Sequence, residues 1–120
     1  MANHNEIGEK GEVLASAYLE EKGYAILAKN YRYKRTEIDI VAKVDNVLVV
    51  VEVKTRQSDY LAGPEDTVSK TKQKHLVTCA NAFIQENEID LEARFDIISI
   101  ILNSKEKRIH HIKDAFYPQI

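Results

Sequence analysis

The chain has 120 residues, with seventeen lysines and arginines against nineteen aspartates and glutamates, 44% hydrophobic and 30% charged, which predicts one soluble globular domain over residues 1–120. A single cysteine, Cys79, excludes an intramolecular disulfide scaffold, and no run approaches the roughly eighteen apolar residues of a membrane helix. Acids and amides in Met1–Lys10 stand where a signal peptide would be basic and then apolar, so a cytoplasmic protein without a membrane partner is expected, and the net charge of −2 excludes a uniformly basic nucleic-acid coat while leaving a local basic face open.

In chain order, Ile7, Leu14, Ala15, Tyr18 and Leu19 recur at helical spacing through Asn5–Lys22, and Gly23 stands where a helix-ending C′ residue belongs. Tyr24–Tyr33 has strand character. Glu37–Val44 and Val47–Lys54 are strongly β-branched runs separated by Asp45-Asn46, a dipeptide suited to a two-residue hairpin turn. Thr55–Asp66 contains Gly63-Pro64 and no periodicity, and reads as a loop. Helical spacing returns over Val68–Asn87 through Leu76, Val77, Ala80, Phe83 and Ile84. Phe95–Leu102 reads as a central buried strand, Asn103–Lys107 as a polar turn and Arg108–Lys113 as an edge strand. Helix, three strands, helix, two strands predicts an α/β or α+β domain with a mixed sheet of about five strands flanked by helices.

The hairpin register carries chemistry. With Val44 opposite Val47, Asp39 falls opposite Glu52 and Glu37 opposite Lys54, while Ile38, Ile40, Ala42, Val44, Val47, Val49, Val51 and Val53 point to the other face. One face is then core and the other polar. Like charges directly opposed destabilise a sheet unless something compensates, and Mg²⁺ commonly takes one or two carboxylates together with waters and substrate phosphate. Lys54 shares the side of Glu52, placed to meet charge developing on a phosphate. The same four residues also suit the solvated face of an antiparallel hairpin, with Glu37 and Lys54 as a surface ion pair.

Two helices bear on that choice. Glu12 lies at the border of the first helix's apolar stripe, and Lys72 and Gln73 extend the stripe of the second where apolar residues are expected. Polar groups aimed inward need partners. Lys29, Arg32, Lys34 and Arg35 interleave with Tyr31 and Tyr33, a mixture suited to phosphate contact with stacking, and Arg56, Lys70, Lys72 and Lys74 form a second basic group. Both groups equally suit solvated faces. His110-His111 is not a zinc motif, because strand neighbours point to opposite faces. Cys79 reads as packing, and Arg94 with Asp96 as a structural ion pair.

Asp39 followed by Glu52-Val53-Lys54 resembles the signature of the restriction-endonuclease-like PD-(D/E)XK superfamily. Over Gly8–Phe116 the chain resembles the YraN-like family of uncharacterised bacterial proteins within it, through Gly11-Glu12, Gly23-Tyr24, Asn30-Tyr31, Glu37-Ile38-Asp39, Val51-Glu52-Val53-Lys54-Thr55-Arg56, Lys72-Gln73, Arg94-Phe95-Asp96 and Ala115-Phe116. This resemblance implies a fold similar to Holliday-junction resolvases. It also implies Asp39, Glu52, the Val53 carbonyl and Glu12 as ligands of Mg²⁺ or Mn²⁺, with Lys54 as catalytic lysine. Ile38 stands where the superfamily has proline, and Arg35-Thr36 where the family usually has glycine; neither departure removes a ligand.

The expected function is metal-dependent hydrolysis of DNA phosphodiesters, with branched or recombination and repair intermediates among the candidate substrates. Arg32, Lys34, Arg35, Arg56, Lys72, Gln73 and Lys74 are the expected nucleic-acid contacts. The alternative is a nucleic-acid-binding module that keeps the fold without cleavage. More remote is a structural adaptor, and a homodimer stays open in either case.

Overall fold

The computed structural model describes residues 4–57 and 68–118. Helix α1 (His4–Glu21) is followed by β1 (Ala25–Tyr33), β2 (Thr36–Val44), β3 (Val47–Arg56), α2 (Lys70–Glu86), β4 (Glu92–Leu102) and β5 (Lys107–Phe116). The strands form one sheet in the order β1-β2-β3-β4-β5. All neighbours are antiparallel except β3 and β4, which run parallel on either side of the α2 connection.

The ends of α1 and α2 follow the sequence signals. Gly23 takes a φ of +93°, and Tyr24 N–H donates to the Leu19 carbonyl at 2.9 Å while Gly23 N–H reaches Glu20 at 3.0 Å, a Schellman termination. Ser69 caps α2 by accepting from Lys72 N–H. The apolar stripe of α2, Leu76, Cys79, Ala80 and Phe83, is buried with Val41, Leu48, Val50, Phe95 and Ile97. Ala15 and Leu19 of α1 are buried with Ile40, Ala42, Val49, Val51, Ile98 and Ile100 on the opposite face. A fully buried aliphatic side chain contributes roughly 1.5–3 kcal/mol, so these two layers are the main source of stability.

Several expectations are corrected. The sheet has no polar face as such, because each face carries its own helix, and Glu37, Asp39, Glu52 and Lys54 are confined to the end of the hairpin where its strands part. Ile38 joins the α2-side cluster although Ile40, two residues later, joins the α1-side cluster. The alternation breaks between them, beside Asn30, which adopts a φ of +51° in the neighbouring strand. Strand β3 runs through Thr55 and Arg56, which therefore belong to the sheet and not to a loop; Gly63-Pro64 and most of that predicted loop lie outside the described residues. Lys34-Arg35 forms a two-residue hairpin turn between Tyr33 and Thr36, with Lys34 at a φ of +56°. The centre of the sheet is β3, with β4 beside it, and β5 extends to Phe116. Among the described residues no helix is long and apolar enough to cross a membrane.

Candidate functional site

The hairpin register is as the Asp45-Asn46 turn dictates: Val44 pairs with Val47 and, at the far end, Ile40 with Val51. There the ladder between β2 and β3 stops. Beyond it β2 continues paired with β1 as far as Thr36, while β3 continues paired with β4 as far as Arg56. The sheet therefore splits into two ribbons, and Asp39 and Glu52 stand in the notch between them. Their relation is not a cross-strand ladder pair. Instead Asp39 Oδ2 accepts the Val53 N–H at 2.8 Å, taking over a backbone donor that the parting strands would leave unpaired.

The two carboxyl groups nevertheless meet. Burial first, then the charge of Asp39 and a hydrogen bond between the two side chains, push Glu52 from the usual 4.5 up to about 7, against the opposing pull of Lys72 and Lys54. Lys72 Nζ comes down from α2 to within 3.6 Å of Glu52 Oε2. Lys54 lies one strand period beyond Glu52, close enough for its charge to act there.

Glu12 approaches the same notch from α1. Its carboxyl is raised chiefly by burial and then by the charge of Asp39, with smaller like-charge effects from Glu37 and Glu9, while a hydrogen bond with Asn30 opposes the rise. What brings α1 so near is Gly11, where a Cβ would lie 1.8 Å from Thr55 Oγ1 and within 3 Å of that side chain's other two carbons. Only a residue without a side chain lets the helix rest on β3 at this point.

A hard divalent cation fits this donor set. The Asp39 and Glu52 carboxyls face each other where a cation would relieve their repulsion, the Val53 carbonyl follows Glu52 in the chain, and Mg²⁺ commonly completes its octahedron with water and phosphate oxygens. Among the described residues no three acidic, histidine or cysteine side chains converge as a ready cage. Glu12 therefore belongs to the electrostatic surroundings of the pair in this conformation.

The expected nucleic-acid contacts are scattered. Lys34 and Arg35 occupy the exposed hairpin tip, with the Lys34 ammonium over the Tyr33 ring at 5.3 Å. Arg32 is exposed and donates to Glu37 Oε2 at 2.6 Å, so Glu37 pairs with its own hairpin partner on β1. Arg56 is turned inward, with Nη2 donating to Ser99 Oγ at 3.1 Å and Nε and Nη1 buried. Gln73 donates to the Val68 carbonyl at 2.8 Å and secures the entry to α2. Lys74 is exposed on the same helix, whereas Lys72 faces Glu52. Asn30, which the family resemblance names with Tyr31 but gives no role, is the partner of Glu12 here, and an asparagine inside a strand run is a known mark of left-handed backbone.

A second polar cluster lies on the α1 face. Asp96 is 1% exposed and accepts from Arg94 Nε and Nη2, each at 2.9 Å, and from Asp114 N–H at 3.1 Å. His111 Nε2 is 2.7 Å from Asp96 Oδ2, and its Nδ1 is 3.2 Å from the Tyr18 hydroxyl. Burial alone would raise Asp96, but the hydrogen bonds from His111, Arg94 and the Asp114 backbone together hold it below the usual range. The expected Arg94–Asp96 ion pair is thus part of a larger network whose tyrosines and histidine come from other elements.

A family model described as "Uncharacterised protein family UPF0102" matches residues 11–100. The chain is similar to the UPF0102 protein of Christiangramia forsetii, 49% identical over 117 residues and 98% of each chain. It is also similar to that of Bacteroides thetaiotaomicron, 49% identical over 120 residues, 100% of this chain and 99% of the other. The counterpart in Flavobacterium psychrophilum is 46% identical over 117 residues, 98% of each. The chain belongs to the uncharacterised protein family UPF0102, the YraN-like group toward which its motifs point.

Proposed function

We propose that this protein is a Mg²⁺- or Mn²⁺-dependent nuclease of restriction-endonuclease-like type that hydrolyses DNA phosphodiesters. The observation that carries this reading is the carboxyl pair of Asp39 and Glu52 held in contact between parting strands, with Lys54 on the same side of β3. A structural sheet has no use for a half-buried acid set against a second one, where burial first and the neighbouring charge second raise Glu52 to about 7. A bound divalent cation would supply a water of lowered pKa and polarise a phosphoryl oxygen. Asp39 and Glu52 would hold it together with the Val53 carbonyl, and the Val53 N–H fixes the orientation of Asp39. Lys54 meets the negative charge that grows on the phosphate. Lys72 is held at Glu52 beforehand and becomes a second phosphate contact once a cation replaces it. Lys34 and Arg35 at the hairpin tip, with Arg32 beside them, hold the backbone of the nucleic acid.

The test is a panel of labelled branched, single-stranded and duplex DNA and RNA substrates with Mg²⁺ or Mn²⁺, run with wild type and Lys54→Ala. Cleavage of a DNA substrate by wild type, lowered roughly 10²-fold or more in Lys54→Ala with metal affinity retained, is the expected result. No cleavage of any substrate, together with salt-dependent binding that Arg32→Ala/Lys34→Ala weakens, would establish a binding module instead.

A further inference from the structure

The network around Asp96 borders a cavity of about 410 Å³ that the nuclease reading leaves unused. It lies at the C-terminal end of α1, beside the β2–β3 turn, and is lined among others by Tyr18, Lys22, Tyr24, Arg94, His111 and Lys113. Arg94 pairs with Val49 and Asp96 with Val51 on the α1 face, whereas Glu52 faces α2, so the cavity and the carboxyl notch are separate.

Arg94 is the telling residue. Asp96 holds its Nε and Nη2 in a two-point grip, and Nη2 also donates to the Tyr24 hydroxyl at 2.9 Å. The Nη1 edge has no hydrogen-bond partner among the described residues. A guanidinium locked on one edge by a buried carboxylate, with its other edge at a cavity, is preorganised for an oxyanion and loses little side-chain freedom on binding it. Lys22 and Lys113 are exposed on the same cavity, and one acid, Asp45, stands at its rim. With Asp96 neutralising Arg94, the two lysines outweigh Asp45. Tyr18, half-buried, adds aromatic surface, and the buried Tyr24 braces the His111 ring at 6.0 Å.

A reactive tyrosine is the competing reading, because Asp96, His111 and Tyr18 form an acid–imidazole–hydroxyl chain. Burial, followed by the nearby Tyr24 and Asp96, raises Tyr18 above its usual value, which is the wrong direction for a nucleophile. The chain is a brace for Arg94 and His111.

We propose that this cavity binds a phosphate monoester attached to a nucleoside, with the phosphate on Arg94, Lys22 and Lys113 and the base against Tyr18. The volume suits a single nucleotide and not a duplex. The same chemistry is offered by a free nucleotide and by the phosphorylated end of a strand.

Calorimetric titration in EDTA keeps the carboxyl notch free of metal, so this site and the nuclease reading can fail independently. The probes are AMP, adenosine, inorganic phosphate and a short oligonucleotide with and without a 5′-phosphate. AMP or the phosphorylated oligonucleotide should bind at least tenfold more tightly than adenosine, phosphate or the unphosphorylated strand, and the tighter of the two identifies the source. Lys22→Gln/Lys113→Gln should weaken that binding tenfold or more without changing thermal stability, since both side chains are exposed. No binding by any probe, inorganic phosphate matching AMP, or equal affinity in wild type and the double variant would overturn the assignment.

Discussion

Asp96 and Glu52 are both drawn into the same sheet, in adjacent strands, and their environments are opposite. Asp96 is surrounded by donors from three sides, and its carboxylate is held below the usual range. Glu52 faces another acid, and its carboxyl is held up near 7 with Lys72 at 3.6 Å as partial compensation. A buried carboxylate with complete hydrogen bonding stabilises the position it occupies; one set against a like charge keeps free energy available to whatever ion or proton relieves it. On this contrast the α1-face network is architecture that also borders a cavity, and the notch is where the proposed chemistry would take place.

The contrast breaks most sharply at Asp96. Asp96→Ala leaves Arg94 and His111 facing an empty position and should cost roughly 3–5 kcal/mol in urea unfolding followed by circular dichroism. A loss under 1 kcal/mol would show that the network contributes little.

pH separates the two acids by the sign of their effects. The folded state lowers Asp96, so its stabilisation is present above the ordinary aspartate range and disappears as pH falls through it. For Glu52, raised from 4.5 to about 7, the folded state binds the extra proton, so stability is full below 4.5 and declines as pH rises toward 7. In metal-free buffer that decline is on the order of 3 kcal/mol, and Glu52→Gln should flatten the profile across this window. Added Mg²⁺ should restore stability in wild type at pH 7 and do nothing for Glu52→Gln or Asp39→Ala. An identical pH profile in wild type and Glu52→Gln would contradict the repulsion assigned to the notch.

Gly11→Ala tests how α1 is seated. The added methyl collides with all three side-chain atoms of Thr55 beyond its Cα, and a β-branched side chain cannot swing aside, so a cost of roughly 1–3 kcal/mol is expected. Thr55→Ser should recover part of it in the double variant. The smallest effect is Asp39→Asn, which keeps an acceptor for the Val53 N–H while removing one of the two charges. It should stabilise the metal-free protein at neutral pH by about 0.2–1 kcal/mol while abolishing metal binding.

Much of the architecture is local information. The stripe of α1, its Gly23 terminus, the Asp45-Asn46 turn and the register that follows are set by side-chain period and turn chemistry within a few residues, so they are readable from the chain alone. That register brings Asp39 and Glu52 to the same end of the hairpin, just past its last pair.

Other features belong to the tertiary structure. The strands part after Ile40 and Val51 because each follows a different outer neighbour, and β4, the neighbour that β3 follows, lies beyond α2 in the sequence. That divergence, not ladder geometry, makes the notch, turns Ile38 to the other face and gives Asp39 the Val53 N–H. Arg56 and Gln73, polar and unremarkable in sequence, are spent on Ser99 and on the entry to α2 once packing brings those partners within reach. Tyr18, Tyr24, Arg94 and His111 lie on four different segments and carry no shared motif or spacing. Only the stacking of α1 over β4 and β5 collects them around Asp96, because hydrogen bonds between elements depend on distances that sequence separation does not encode.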